Sequence, residues 1–175
     1  MAFFHEIILT FFGCGKSKKA PGSVGSIASL ILWLIITKLF FDHQIPLLIQ
    51  NIFWTIFLIS SFIYGCFAIP IYAKKFNQID HSSIVLDEVV GQILALQITF
   101  LLIRADYFLQ NNLILVHLGF CYISFRFFDI VKPSFIGTID RKMKNGFGVM
   151  FDDLACGIIT AIIGCGLILL KNQLA

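Results

Sequence analysis

The sequence predicts an all-α membrane protein: a small bundle of about five transmembrane helices, preceded by a short re-entrant or interfacial N-terminal segment. Three observations carry this. The 175 residues are 58% hydrophobic and only 13% charged, with a mean hydropathy of +0.91, where a soluble domain would carry about 25% charged residues. The apolar residues fall in five long runs with few or no charges, each close to the length of a membrane span. Basic residues gather in alternate loops, as they do in multi-pass proteins. No internal repeat, low-complexity tract or second domain interrupts the pattern, so residues 1–175 read as one integral-membrane domain.

The elements follow in order. The opening stretch MAFFHEIILTFFGCG has no basic n-region, and three lysines (Lys16, Lys18, Lys19) follow it, so it does not read as a cleaved signal. Its apolar part, residues 7–15, is too short to cross a bilayer as a helix. The first span is expected over 20–37, with Lys38 snorkelling at its far end. The second, over 45–73, is longer than one crossing needs, which implies tilt or an interfacial extension. The third, over 84–103, carries Asp87 and Glu88 in its first turns, with Ser82 or Ser83 as the expected cap. The fourth, over 113–131, carries Arg126 and Asp129 in its last turns. The fifth, over 154–170, is opened by Asp152 and Asp153.

Lys16, Lys18 and Lys19 precede the first span, Lys74 and Lys75 follow the second, and Lys132, Arg141, Lys142 and Lys144 follow the fourth. The other side has Lys38, Arg104 and Lys171. The bias predicts a cytoplasmic N-terminus and an external C-terminus. It also brings Asp87-Glu88, Asp129, Asp152-Asp153 and the glycine-containing stretch 20–26 to one membrane face, the cytoplasmic one.

Half of the ten Asp and Glu residues occupy those three acidic places. Ionisable groups at the edge of hydrocarbon are costly and persist where they bind or move something. Oxygen ligands without His or Cys favour Mg²⁺ or Ca²⁺ over zinc or copper, and Mg²⁺ favours sites shared with substrate phosphate. On a helix, Arg126, Asp129 and Lys132 or Pro133 fall one turn apart on one face, and Pro133 stops the helix. That row suits phosphate neutralisation, or equally an intrahelical salt bridge. Arg141 offers a bidentate fork to phosphate, while Gly146 and Gly148 allow close backbone approach to a ligand. Asp152 and Asp153 suit a helix start as caps; two in succession repel each other unless a cation stands between them. His5, His43, His81 and His117 form no set, and His81 is either a proton carrier or an ordinary polar residue at a helix start. The five cysteines are scattered singly and read as small buried hydrophobes.

Four segments together resemble the phosphatidylglycerophosphatase A family of small bacterial membrane lipid phosphatases. They are 13–15 with 20–26 (GCG and APGSVGS), 84–91 (IVLDEVVG), 125–133 (FRFFDIVKP), and 139–141 with 146–157 (IDR and GFGVMFDDLACG). Ser23 stands where the family usually has Thr, which keeps the hydroxyl, and the opening loop is unusually basic. The resemblance implies Mg²⁺-dependent removal of the terminal phosphate of phosphatidylglycerophosphate, giving phosphatidylglycerol, at the inner face of the bacterial inner membrane. Asp87, Glu88, Asp129, Asp152 and Asp153 would hold the metal and do the chemistry. Arg126, Lys132 and Arg141 would neutralise the phosphate, with Gly22, Ser23 and Ser26 contributing from the first span. The implied partner is a phospholipid within the bilayer, not nucleic acid, and the oligomeric state is open.

Two other membrane enzyme classes fit worse. Histidine-nucleophile lipid phosphatases need a Pro-Ser-Gly-His segment, and phosphatidyltransferases need an Asp-Gly-led array; neither stands in the sequence. From a different class, a small cation carrier or accessory subunit would use the same carboxylates. A carrier needs acidic groups along the depth of the membrane, whereas these share one face.

Overall fold

The computed structural model describes residues 2–103, 111–133, 136–138 and 142–174, and its regular elements are all helical. Helix α1 (Ala2–Leu9) leads through a 3₁₀ turn (Cys14–Lys16) into α2 (Pro21–Asp42) and α3 (Leu47–Ala73). Then follow α4 (Leu86–Ile103), α5 (Asn111–Val131) and α6 (Gly146–Leu174). Helices α2 to α6 are each long and apolar enough to cross a membrane.

Their surfaces divide between lipid and bundle. Along α3, Ile52, Ile56, Ile59, Ile63, Phe67 and Ile71 are all exposed at helical spacing, an apolar stripe that lipid can solvate. Helix α4 is the opposite case. About two-thirds of its span (67%) is buried inside the bundle, against 22% for α3 and α5, so α4 is the central post. Packing between α4 and α6 is close because glycines meet there. A Cβ on Gly91 would strike the Asp153 carbonyl oxygen, and one on Gly157 would strike the Gly91 carbonyl oxygen. Small residues let two helix backbones touch, and association inside a membrane depends on such contacts.

The N-terminal segment is too short to span and instead braces the bundle. The Leu9 carbonyl accepts the Val85 N–H at 2.9 Å, immediately before α4. A Cβ on Gly15 would collide with the Ser83 carbonyl oxygen. His5 Nδ1 pairs with the Tyr64 hydroxyl at 2.8 Å. Glu6 bridges Lys16 and, at 3.5 Å, Lys75. The Lys16 hydrogen bond holds the Glu6 carboxyl below its usual range.

Several expectations about helix ends need correcting. Helix α6 begins at Gly146, not at residue 154, so Asp152 and Asp153 lie in its second turn and do not cap it. Asn145 does that work: its Oδ1 accepts the Gly148 N–H at 2.8 Å. Gly146 and Gly148 are packed against the carbonyl oxygens of Cys66 and Met143, so close backbone packing at the start of α6 requires glycine at both. Ser83 does not cap α4; its hydroxyl meets His81 Nδ1 at 2.8 Å and the Tyr72 hydroxyl at 3.4 Å. His81 is also stacked on Phe76, with centroids 3.7 Å apart, so it is fixed in the turn before α4.

Candidate active site

The acidic residues converge although they come from three helices. Asp87 and Glu88 stand in the first turn of α4, and the Gly91–Gly157 contact one turn deeper draws α6 against them. One carboxylate oxygen from each of Asp87, Glu88 and Asp153 lies within 4.8 Å of the other two. Asp87 and Asp153 are nearly fully buried. The first member of each acidic pair turns back on the next amide: Asp87 Oδ1 accepts the Glu88 N–H at 3.1 Å, and Asp152 Oδ1 accepts the Asp153 N–H at 3.0 Å. In the second pair the two members part, Asp153 joining the triad and Asp152 meeting Lys132.

The two cations of α5 are distributed around the triad. Arg126 Nη1 is 2.5 Å from Asp129 Oδ2, the intrahelical pair expected from their spacing, and 4.0 Å from Glu88 Oε1. Lys132 departs from the expectation. Helix α5 ends at Val131, and Lys132 takes a left-handed conformation (φ 42°) just before Pro133. It therefore leaves the Arg126–Asp129 row, and its Nζ reaches across to Asp152 Oδ2 at 2.5 Å. Asp129 and Asp152 are thus each held by a basic side chain. Asp87 and Asp153 have no cationic partner among the described residues.

The start of α2 completes the site. Residues 20–26 are not a separate turn but the helix N-terminus, with Pro21 in its first position and Ala20 as a left-handed N-cap. The amides of Gly22 and Ser23 precede the first intrahelical bond, from Val24 N–H to the Ala20 carbonyl, and so have no acceptor within the helix. A Cβ on Gly22 would strike Glu88 Oε1 and come within 3.1 Å of Arg126 Nη1. Glycine is required here because the α2 backbone lies directly on those two side chains. Ser26 is turned away from them; its hydroxyl donates to the Gly22 carbonyl at 3.0 Å. Ser23 is half-buried one position after Gly22. Arg141 lies outside the described residues.

The arrangement joins a buried triad of oxygen ligands, a guanidinium and a helix N-terminus at one end of the bundle. The donor set fits a hard divalent cation. Three carboxylates approach within coordination reach of one centre, two of them lack any cationic side chain, and Glu88 Oε2 is buried without a hydrogen-bond partner among the described residues. Like charges at this depth repel strongly without compensation.

The phosphatidylglycerophosphatase A family model matches residues 7–168. The chain belongs to that family. Its relatives include phosphatidylglycerophosphatase A of Haemophilus influenzae, 36% identical over 90% of this chain and 85% of the relative. The Escherichia coli K12 phosphatidylglycerophosphatase A is 31% identical over 89% and 78% of the two chains. A Bacteroides thetaiotaomicron protein provisionally named a phosphatidylinositol-3-phosphatase is 31% identical over 93% and 92%. No solved structure matches. Membership of the phosphatidylglycerophosphatase A family makes the protein a membrane-integral phosphatase, and a lipid is the fitting substrate.

Sequence reasoning missed three features of the site: the Gly91–Gly157 contact, the bracing of α4 by Leu9 and Gly15, and Gln92. The glycines had a visible signal, since each acidic pair is followed about one turn later by glycine. The bracing had none, because it depends on backbone atoms meeting across about seventy residues, Leu9 with Val85 and Gly15 with Ser83.

Proposed function

We propose that the protein removes the terminal phosphate of phosphatidylglycerophosphate, with Mg²⁺, at the cytoplasmic face of the bacterial inner membrane. The products are phosphatidylglycerol and inorganic phosphate. The observation that carries this reading is the buried Asp87–Glu88–Asp153 triad beside Arg126 and the α2 N-terminus. An oxygen-ligand site adjoining two kinds of anion donor suits phosphate chemistry.

Asp87, Glu88 and Asp153 would hold Mg²⁺, which when bound offers charge neutralisation and activation at the phosphoryl group. Arg126 presents its guanidinium toward the same place, where charge builds as the P–O ester bond breaks. The ion pair with Asp129 keeps that guanidinium close to the site. The free amides of Gly22 and Ser23 point a positive helix end at the anion. Lys132, engaged with Asp152, ties α5 to α6 and keeps Asp153 in place on the following residue. In the reaction the oxygen of water ends on phosphorus, and the glycerol oxygen leaves with a proton. Lipid solvates the outer faces of α3 and α5, so the substrate tails stay in the bilayer while the headgroup reaches the polar end.

The carrier reading has less support. Beyond the acidic end, α4 is packed by apolar side chains and by polar groups bonded to one another. The basic residues at the acidic end, among them Lys16, Lys18, Lys19, Lys74 and Lys75, support a cytoplasmic location for it.

The test is phosphate release by the purified protein in detergent micelles. Phosphatidylglycerophosphate, phosphatidylinositol 3-phosphate and phosphatidic acid are compared, each with Mg²⁺ and with EDTA. Fastest release from phosphatidylglycerophosphate, abolished by EDTA, is expected. Preference for the inositol lipid would overturn the substrate, and release undiminished by EDTA would overturn the metal.

A further inference from the structure

One buried side chain at the acidic end has no role in the account above. Gln92 is fully buried, yet neither its Oε1 nor its Nε2 has a hydrogen-bond partner among the described residues. A carboxamide carries two N–H donors and an acceptor oxygen, and native interiors rarely leave such groups unpaired. A carboxamide left unpaired among the described residues, beside a site that fits an anion and a cation, points to a ligand as its partner.

Its position says where that partner sits. Gln92 follows Glu88 by one helical turn on the same face of α4, and helical side chains lean toward the helix N-terminus. Helix geometry thus leans the carboxamide toward Glu88, beside which stand Arg126 and the start of α2. Glu88 Oε2 and Arg126 Nε are buried there without hydrogen-bond partners among the described residues. Arg126 Nη1 is close to Asp129 but is not aligned to donate to it. Two helices, α4 and α5, thus bring unpaired donors and acceptors to one place, beside the free amides of α2 that Gly22 lets approach.

We propose that Gln92 is the floor of the phosphate site, its Nε2–H donating beside Arg126 to a phosphoryl oxygen of the substrate. Between turnovers, water takes that place. A neutral donor suits this depth because another buried cation would pair permanently with Glu88 and close the site. The Gln92 and Glu88 acceptor oxygens are left to face one water between them. This inference rests on the phosphatase reading and adds a binding residue to it.

The test uses the full-length protein in detergent, with Gln92→Met and Gln92→Glu beside the wild type. Thermal midpoints are measured with Mg²⁺, with and without inorganic phosphate, alongside kcat and KM for phosphatidylglycerophosphate. Methionine keeps the length of the side chain and removes its hydrogen bonds. The expected result for Gln92→Met is an unchanged or higher midpoint without phosphate, because an unpaired buried amide has been replaced by an apolar group. The midpoint rise on adding phosphate shrinks, and kcat/KM falls about tenfold to a hundredfold. Gln92→Glu, which sets a carboxylate against the anion, loses more of the phosphate response than Gln92→Met.

A wild-type phosphate response and wild-type kinetics in Gln92→Met would overturn the proposal. So would a lowered midpoint with the phosphate response intact, which marks a packing role. If Gln92→Met does not fold, a wild-type phosphate response in Gln92→Glu overturns it. Failure of the wild type to release phosphate from any lipid would instead sink the phosphatase reading. Loss of the phosphate response in the variants would still support this assignment.

Discussion

Two glutamines on α4, Gln92 and Gln97, are both buried and yet live in opposite circumstances. Gln97 is bonded on both sides: its Oε1 accepts from Trp33 Nε1 at 2.9 Å, and its Nε2 donates to Asn51 Oδ1 at 3.1 Å. Nearby, Thr99 Oγ1 meets His117 Nε2 at 2.7 Å, and the His117 ring lies edge-on to Trp33. These side chains answer one another and tie α2, α3, α4 and α5 in register, although Thr37 Oγ1 and Trp54 Nε1 are buried near them without a hydrogen-bond partner among the described residues. At the acidic end, Gln92 is unpaired, Glu88 is half-paired, and Asp87 and Asp153 face each other without a cation among the described residues. Burial of polar groups is common to both ends. The difference is that the acidic end leaves a carboxylate, a guanidinium and a carboxamide unpaired together, where the other end leaves only single hydroxyl or indole atoms, and that concentration separates site from scaffold.

The sharpest way to break this comparison is to remove a carboxylate from the unsatisfied end. Asp153→Asn keeps the shape and removes the charge, and phosphate release should fall on the order of 10³-fold, since metal-assisted charge stabilisation is worth several kcal/mol. The thermal midpoint in EDTA should hold or rise, because like charges have been relieved. A large midpoint drop with partial activity would show that Asp153 belongs to the scaffold.

Next in size is the contact that assembles the triad. Gly91→Ala sets a methyl against the Asp153 carbonyl oxygen and pushes α6 away from α4. It should cost about 1–3 kcal/mol of stability by overpacking and at least about tenfold in kcat, because a displacement of about 1 Å at a catalytic centre has large effects. Normal kcat in this variant would mean that the helices need not touch for turnover.

The satisfied end should behave in the reverse way. Gln97→Leu strands Trp33 Nε1 and Asn51, which should destabilise by about 1–3 kcal/mol. Its kcat should stay within about twofold of the wild type, as expected for a site far from the chemistry. Loss of kcat without loss of stability would erase the distinction between the two ends.

The smallest effect concerns the N-terminal brace. Lys16, then Lys75, keep the Glu6 carboxyl below its usual range, near 4.5 for a free side chain. A lowered folded-state pKa contributes stability that is present above the unfolded value and lost as pH falls through the folded one. Glu6→Gln should therefore lower the thermal midpoint slightly at pH 7 and by less at an acid pH, as the folded-state carboxylate becomes protonated. An equal loss at both pH values would assign the effect to packing.

Much of the molecule was legible because the membrane imposes long, uninterrupted runs. The spans expected over 45–73, 84–103 and 113–131 agree with α3, α4 and α5 to within two residues at each end. The last span was misjudged. Asp152 and Asp153 looked like a helix start, but charges also occur inside a helix when neighbouring helices shield them. The Arg126–Asp129 pair followed directly from its spacing, since it needs only one helix. Lys132 did not follow, because its left-handed turn before Pro133 sends the side chain to another helix.

By itself the sequence determined that the chain crosses a membrane about five times, that its acidic residues gather at one end, and which family it resembles. Those properties depend on composition, local periodicity and residue order, which need no knowledge of neighbours. Tertiary structure alone decided which carboxylates meet. Asp87, Glu88 and Asp153 converge because Gly91 and Gly157 let two backbones touch, while Asp129 and Asp152 are taken up by Arg126 and Lys132. It alone decided, too, that Gln97 has partners and that Gln92 has none among the described residues, because pairing is a property of the space around a side chain.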